Sequence, residues 1–457
     1  MPEALHLLGV KEVLHGLSEG RFTSEDLVRQ CLIRIARLDP NIEAWVWLKS
    51  ETALERARAA DHHRRAGKHG ALLGVPVGVK DIIDVDGVPT RMGSPVFEDN
   101  IPSMSARVVR RWEEAGAVLL GKTVTAELAY FAPGKTRNPW NPAHTPGGSS
   151  SGSAAAVAAR FVPAALGTQT NGSVIRPAAF CGVVGYKPSA GLISRSGILK
   201  FSHTLDQVGV FARGVADAAV VASTLVGHTQ DDTDSLSDFA LVPKDLDPKP
   251  LFQPPRLAAV RSPAWHLADR DQQENFSQCV ATLRKAGAAV EAVVLPESLH
   301  QAHDVHRTIM HYEGARAFAA LQAQHRDRLS AAINRLIDDG LLIAEAAYHT
   351  ALESRTRLQG DLNEFLNRYD GLLTPPARGE APATLEHTGD PVFCTIWTLC
   401  GTPALTIPAG LGAHGLPLGL QLVGGYLQDA RLLQVAQWCA RQIGFRHSPP
   451  DIVSREP

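Results

Sequence analysis

Residues 146–188 read PGGSSSGSAAAVAARFVPAALGTQTNGSVIRPAAFCGVVGYKP, and the rest of the chain is organised around them. Two Gly/Ser clusters, Gly147–Ser153 and Gly167–Ser173, flank the small-residue run Ala154–Ala165, which Arg160, Phe161 and Pro163 interrupt. Glycines so placed let backbone N–H groups approach a ligand with no Cβ in the way. The serines beside them offer hydroxyls that serve as nucleophiles once a base takes their proton. A flexible Gly/Ser linker is the competing reading. It sits poorly with the apolar run Ala154–Val162 and the apolar close at Phe180–Tyr186.

Upstream, Leu72–Ile82 (LLGVPVGVKDI) surrounds one lysine, Lys80, with apolar residues. A continuous apolar run predicts a strand buried on both faces. Lysine is almost never fully buried unless paired or functional. The plain alternatives are a snorkelling side chain or an ion pair with Asp81 or Asp84. Before this strand, residues 3–67 predict helices: Leu27, Cys31, Leu32, Ile35 and Leu38 recur at helical spacing, Thr23–Asp26 offers an N-cap, and Pro40 stops the helix. After it the pattern alternates. A helix over 104–116 leads to a strand at 117–120, a helix over 153–160 to a strand at 163–167, and a helix follows over 214–226.

Residues 231–255, with DDTDS and PKDLDPKP, predict a polar surface excursion. A strand at 257–260, a helix over 271–287 and a strand at 289–295 follow, read as a semi-independent αβ lobe. Helices over 299–368 either wall a substrate pocket or form a dimer face; Met310, Tyr312 and Phe318 within them, and the segment Phe393–Trp397, either line that pocket or are core. Strands at 371–374, 397–408 and 415–424 and a helix over 428–442 complete the pattern. The class is α/β: a mixed, mainly parallel central sheet with helices on both faces. One domain of 1–457 is expected, with helices in 1–67, a catalytic core in 68–230, a helix-rich excursion in 231–368 and a return to the core in 369–457.

The totals bound the function. The 457 residues are 44% hydrophobic and 20% charged, with a formal charge of −2. That is the composition of a soluble globular protein, with no electrostatic case for nucleic acid or an anionic membrane. No apolar run reaches the roughly 20 residues of a membrane span. The N-terminus does not read as a signal peptide. Six scattered cysteines without a CxxC pair point to reduced thiols in a cytoplasm. No HExxH appears, and His62–His63 reads as a solvated helix end, so neither metal nor cofactor is expected. Cys400 reads as a small buried hydrophobe rather than a second nucleophile.

Together these pieces supply a nucleophile, a base and oxyanion donors. A lysine acts as base only when neutral, and burial lowers its pKa in that direction. The consecutive N–H groups of Thr170, Asn171, Gly172 and Ser173 can form an oxyanion hole. The chain resembles the amidase signature hydrolases across nearly its whole length. The resemblance rests on GVPVGVKD at 74–81, PGGSSSGSAAAVAA at 146–159, GTQTNGS at 167–173, LDQVGVFAR at 205–213 and the closing GTPALTIPAG and GLPLGLQLVG. It implies a Ser–cisSer–Lys triad, with Ser173 the nucleophile, Ser149 the bridging serine on a cis peptide and Lys80 the base. It also implies a homodimer.

Ser150, Ser151 and Ser153 would then supply supporting hydrogen bonds. Three positions depart from the family pattern: Gln169 stands where aspartate is usual, Asn171 where glycine is usual, and Arg176 follows Ser173 by three residues rather than two. The first removes a negative charge near the lysine. The second places a residue less tolerant of positive φ than glycine in the oxyanion loop.

The first functional expectation is a hydrolase cleaving the C–N bond of a small aryl or alkyl carboxamide, with carbamates and esters within reach of the same acyl-enzyme. The alternatives are the glutaminase subunit of a tRNA-dependent amidotransferase, and a catalytically silent binding module.

Overall fold

In the computed structural model, residues 4–237 and 246–452 are described; residues 238–245 of the expected excursion therefore lie outside the described residues. Eleven strands form one sheet. In chain order they are β1 Trp45–Leu48, β2 Pro76–Lys80, β3 Val118–Thr123, β4 Ala164–Gln169, β5 Val184–Lys187 and β6 Gln207–Ala212. There follow β7 Arg256–Val260, β8 Ala289–Val293, β9 Gly371–Thr374, β10 Ala404–Leu411 and β11 Pro417–Val423. Their order across the sheet is β1-β3-β2-β4-β6-β5-β10-β11-β9-β7-β8.

The α/β class is as expected, a large mixed sheet flanked by helices. Its proportions differ from the expectation of a mainly parallel sheet. Four pairings are parallel and six antiparallel. Two of the antiparallel pairs, β5–β6 and the β10–β11 hairpin, join strands with no helix between them, so the chain returns directly. Residues 256–295 are not a separate lobe either, because β7 pairs with β9 and continues the main sheet.

Several boundaries follow from local chemistry. Thr23 caps the helix Ser24–Ile42 by accepting from the Asp26 N–H, and Asp26 accepts in return from the Thr23 N–H. That helix runs through Pro40 instead of stopping there. Proline costs little in a last turn, where the chain is about to leave the helix at Glu43 in a left-handed conformation. Trp45–Leu48 is an edge strand inside the segment expected to be all helix. Residues 395–399 form a short buried helix ahead of β10, where the sequence predicts a strand. A short apolar run fits either element. The excursion is not wholly on the surface: Asp232 is buried and pairs with Arg195.

Lys80 ends β2, and Thr168 and Gln169 end β4, its parallel neighbour. The C-terminal ends of adjacent parallel strands are where open α/β sheets place their ligands. The long helices Ala302–His325, Ala331–Leu341 and Glu345–Leu366 pack together beside this edge around Phe318, Leu336 and Leu362.

Candidate active site

The sheet brings Lys80 to the first serine loop. Lys80 is wholly buried and donates to Ser149 Oγ at 2.7 Å and to Thr168 Oγ1 at 2.8 Å. Burial lowers its pKa to about 7, and Asp206 pulls the other way. The ion-pair alternative does not apply, because Asp81 turns to a second buried lysine, Lys122, at 3.0 Å.

Ser149 follows a cis peptide bond from Gly148. Its carbonyl accepts from the Ala126 N–H at 3.0 Å. Gly147 adopts φ +81°, and a Cβ there would fall 2.7 Å from the Pro177 backbone. Arg176 is buried behind the loop. It donates to the Gly148 carbonyl at 2.8 Å, the Thr388 carbonyl at 2.8 Å and Thr388 Oγ1 at 3.1 Å. Its displacement by one residue relative to the family pattern still leaves a guanidinium gripping the peptide before Ser149. Ser150, Ser151 and Ser153 donate to the backbone oxygens of Thr168, Val124 and Leu166. Gly167 makes room for this packing, since a Cβ there would meet Ser150 Oγ at 2.8 Å.

Ser173 stands in the second loop, just before the helix Ile175–Cys181, and lines a cleft with Tyr130, Phe131, Phe201, Met310 and Pro391. Among the described residues its hydroxyl makes no hydrogen bond, so the link from Ser149 to Ser173 is open in this state. A contiguous part of the cleft reaches Thr168 and Asp206 and is rimmed by Lys200. Of the expected pocket residues, Met310 lines the cleft. Phe318 is core against Phe201, Tyr312 stacks on Tyr348, and Trp397 is buried with its indole N–H on the Phe393 carbonyl. Cys400 is buried, and burial pushes its thiol up to about 12.

The N–H groups of Asn171, Gly172 and Ser173 donate to no protein acceptor among the described residues, while the carbonyl oxygens of Thr170, Asn171 and Gly172 are all engaged. Asn171 does not adopt positive φ, so its departure from glycine costs no backbone strain. Its side-chain oxygen accepts from Thr395 Oγ1 at 2.9 Å. Gln169 points away from Lys80. Its Oε1 accepts from the N–H groups of Val174 at 2.8 Å and Ile175 at 3.0 Å. The neutral amide therefore braces the serine loop instead of tuning the lysine.

Four participants escape the sequence reading. Thr168 shares the Lys80 ammonium. Asp206 accepts from Thr170 Oγ1 at 2.6 Å, and its place in LDQVGVFAR is the one signal that points to it. His306 meets the Thr170 carbonyl at 2.9 Å, and Thr398 donates to the Asn171 carbonyl at 2.6 Å. Among the described residues no group of three or more His, Cys, Asp or Glu could hold a metal ion, and no helix is long and apolar enough to cross a membrane.

Residues 26–433 match the family model described as Amidase. The A-subunit of the glutamyl-tRNA(Gln) amidotransferase of Anaeromyxobacter dehalogenans is 36% identical over 97% of this chain and 98% of its own length. Among solved structures, the peptide amidase of Stenotrophomonas maltophilia superposes with a TM-score of 0.85 at 32% identity, covering 97% of this chain and 99% of that one. The corresponding A-subunit of the glutamyl-tRNA(Gln) amidotransferase of Thermotoga maritima gives 0.82 at 28% identity, covering 98% and 99%.

Proposed function

The chain belongs to the amidase signature family, and on that premise we propose that it hydrolyses an amide C–N bond through a seryl acyl-enzyme, with Ser173 as nucleophile, Ser149 as relay and Lys80 as base. The observation that carries this reading is the buried Lys80–Ser149 contact at 2.7 Å, at the end of the strand pair whose following loop places Ser173 on a cleft. Desolvation leaves a large fraction of Lys80 neutral near pH 7, so it can accept a proton.

As Ser173 Oγ bonds to the substrate carbonyl carbon, its proton passes to Ser149 and the Ser149 proton to Lys80 Nζ. The carbonyl oxygen becomes an oxyanion facing the free N–H groups of 171–173. Collapse breaks the C–N bond, and the proton returns through Ser149 to the departing nitrogen. Water then attacks the ester by the same relay, releasing the acid and restoring Ser173. The open Ser149–Ser173 leg closes with substrate in place, since catalytic hydrogen bonds are often loose in empty sites.

Similarity to amidotransferase A-subunits over nearly the whole chain favours glutamine as substrate, with the released ammonia consumed by a partner protein. The apolar cleft wall of Tyr130, Phe131, Phe201 and Met310, with the likeness to a peptide amidase, favours a stand-alone hydrolase of a small carboxamide. The test assays the isolated chain and Ser173→Ala on glutamine, primary amides, anilides, carbamates and aryl esters. Turnover lost in Ser173→Ala establishes the nucleophile. Glutaminase activity that rises with a co-purified partner selects the first substrate reading, and anilide turnover by the chain alone selects the second. A folded chain that neither turns over nor labels with a fluorophosphonate would leave a silent binding module.

A further inference from the structure

The three peptide groups of the serine loop are each held by the carbonyl, leaving the N–H free. Thr170 O accepts from His306 Nε2 at 2.9 Å, Asn171 O from Thr398 Oγ1 at 2.6 Å, and Gly172 O from the Arg176 N–H at 3.0 Å. A peptide unit is planar, so its C=O and N–H point in opposite directions within one plane. Fixing the oxygens of residues 170, 171 and 172 therefore fixes the N–H vectors of Asn171, Gly172 and Ser173. Arg176 acts through its own backbone. His306 and Thr398 act through side chains from two other elements, the helices Ala302–His325 and Thr395–Leu399.

The direction of the hydrogen bonds adds a constraint special to this chain. Two backbone N–H groups, from Val174 and Ile175, claim Gln169 Oε1, so Nε2 is left to donate, and it meets Thr398 Oγ1 at 2.9 Å. The Thr398 hydroxyl then accepts from Gln169 and spends its single proton elsewhere. The Asn171 carbonyl at 2.6 Å is nearer than the Cys394 carbonyl of its own helix at 3.2 Å. A carboxylate at 169 would be acceptor-only and would draw that proton to itself, releasing the Asn171 carbonyl. On the other loop peptide, burial pushes His306 down to about 4, so its ring is neutral and a single N–H meets Thr170 O.

The geometry points to Thr398 and His306 as positioning residues that aim the oxyanion donors, with Gln169 as the neutral partner that sets the direction of the Thr398 hydroxyl. The inference rests on the acyl-enzyme reading above and extends it to groups that touch neither substrate nor nucleophile.

The test compares Thr398→Val, Thr398→Ser, His306→Phe and Gln169→Glu with wild type, on whichever substrate gives Ser173-dependent turnover. Three readouts are taken: kcat and KM, inhibition by a boronic acid that mimics the tetrahedral intermediate, and the melting midpoint. Removing an oxyanion donor outright costs about 10²–10³ in kcat; misaiming one should cost about tenfold to a hundredfold. The expected result is that loss in kcat for Thr398→Val and Gln169→Glu, with KM within about threefold and boronate affinity weakened in parallel. Thr398→Ser should restore all three. A purely structural role would lower the melting midpoint without weakening boronate relative to substrate. Thr398→Val and Gln169→Glu proteins that match wild type in kcat and boronate affinity overturn the inference while leaving the nucleophile in place. Should Thr398→Val fail to fold, the isosteric Gln169→Glu decides. Turnover surviving in Ser173→Ala would instead remove the reading beneath it.

Discussion

Lys80 donates to Ser149 Oγ at 2.7 Å, and its other partner, Thr168, is also a neutral hydroxyl. Among the described residues no carboxylate bonds the ammonium, and the distant pull of Asp206 only partly offsets the lost hydration, so the pKa falls to about 7. A base must be unprotonated to act. The kcat/KM profile should therefore rise about tenfold per pH unit below pH 7 and level off above it. Lys80→Met should abolish that limb and lower kcat by about 10²–10⁴. A wild-type profile flat from pH 5 to 8 would remove Lys80 as the base.

Ser149 and Ser150 are neighbours with different duties. Ser149→Ala interrupts the proton path and should lower kcat by about 10²–10⁴. Among the described residues Ser150 Oγ bonds only the Thr168 backbone. Ser150→Ala should cost about 0.5–1.5 kcal/mol of stability and change kcat only a few-fold. Steady-state kinetics with urea unfolding separates the two, and equal kinetic losses would contradict this division.

Arg176 satisfies two buried carbonyls, Gly148 and Thr388, from one guanidinium. Arg176→Met leaves both without a donor, at about 1–3 kcal/mol each. Denaturant unfolding should show that loss together with reduced kcat, because the peptide before Ser149 is no longer held. Arg176→Lys should recover only part of it, since an ammonium cannot reproduce the fork. Full recovery in the lysine variant would show that charge alone is needed.

Lys187 is a buried lysine outside the proton path. It donates to the carbonyls of Thr402 at 2.7 Å and Pro188 at 3.2 Å and to Gln207 Oε1, and burial lowers it to about 7. Between about pH 7 and 10.5 the unfolded chain holds a proton on this side chain that the folded chain does not. Unfolding free energy should thus fall as pH drops across that window, by about 1.4 kcal/mol per unit for this lysine, and stay level below it. Lys187→Met should remove that share of the slope. Urea titrations at several pH values check it, and an unchanged slope would mean Lys187 is charged in the folded state.

What is legible in the sequence has a local pattern. A lysine in an otherwise apolar strand contradicts its surroundings, and glycine-spaced serines contradict the periodicity of both helix and strand. Lys80, Ser149 and Ser173 all stand out in this way. Thr168 does not, because one threonine in a buried strand is ordinary; only the pairing of β2 with β4 makes it a partner of Lys80. His306 and Thr398 lie 136 and 227 positions from the carbonyls they hold. No spacing rule spans such separations. Gln169 draws notice in the sequence for the charge it lacks, whereas its work lies in the direction of its amide. The balance of parallel and antiparallel strands is hidden for a related reason: β5 and β6 pair antiparallel in the middle of the sheet, and strand direction depends on the route of the intervening chain.

Met310 lies four residues beyond His306, one turn along the same face of one helix. The first borders the cleft beside Ser173, and the second grips the Thr170 carbonyl. A substrate group that crowds Met310 leans on the very rod that keeps the donors aimed. On the acyl-enzyme reading proposed above, misfit there should slow acylation rather than loosen binding, so that selection among substrates would follow docking.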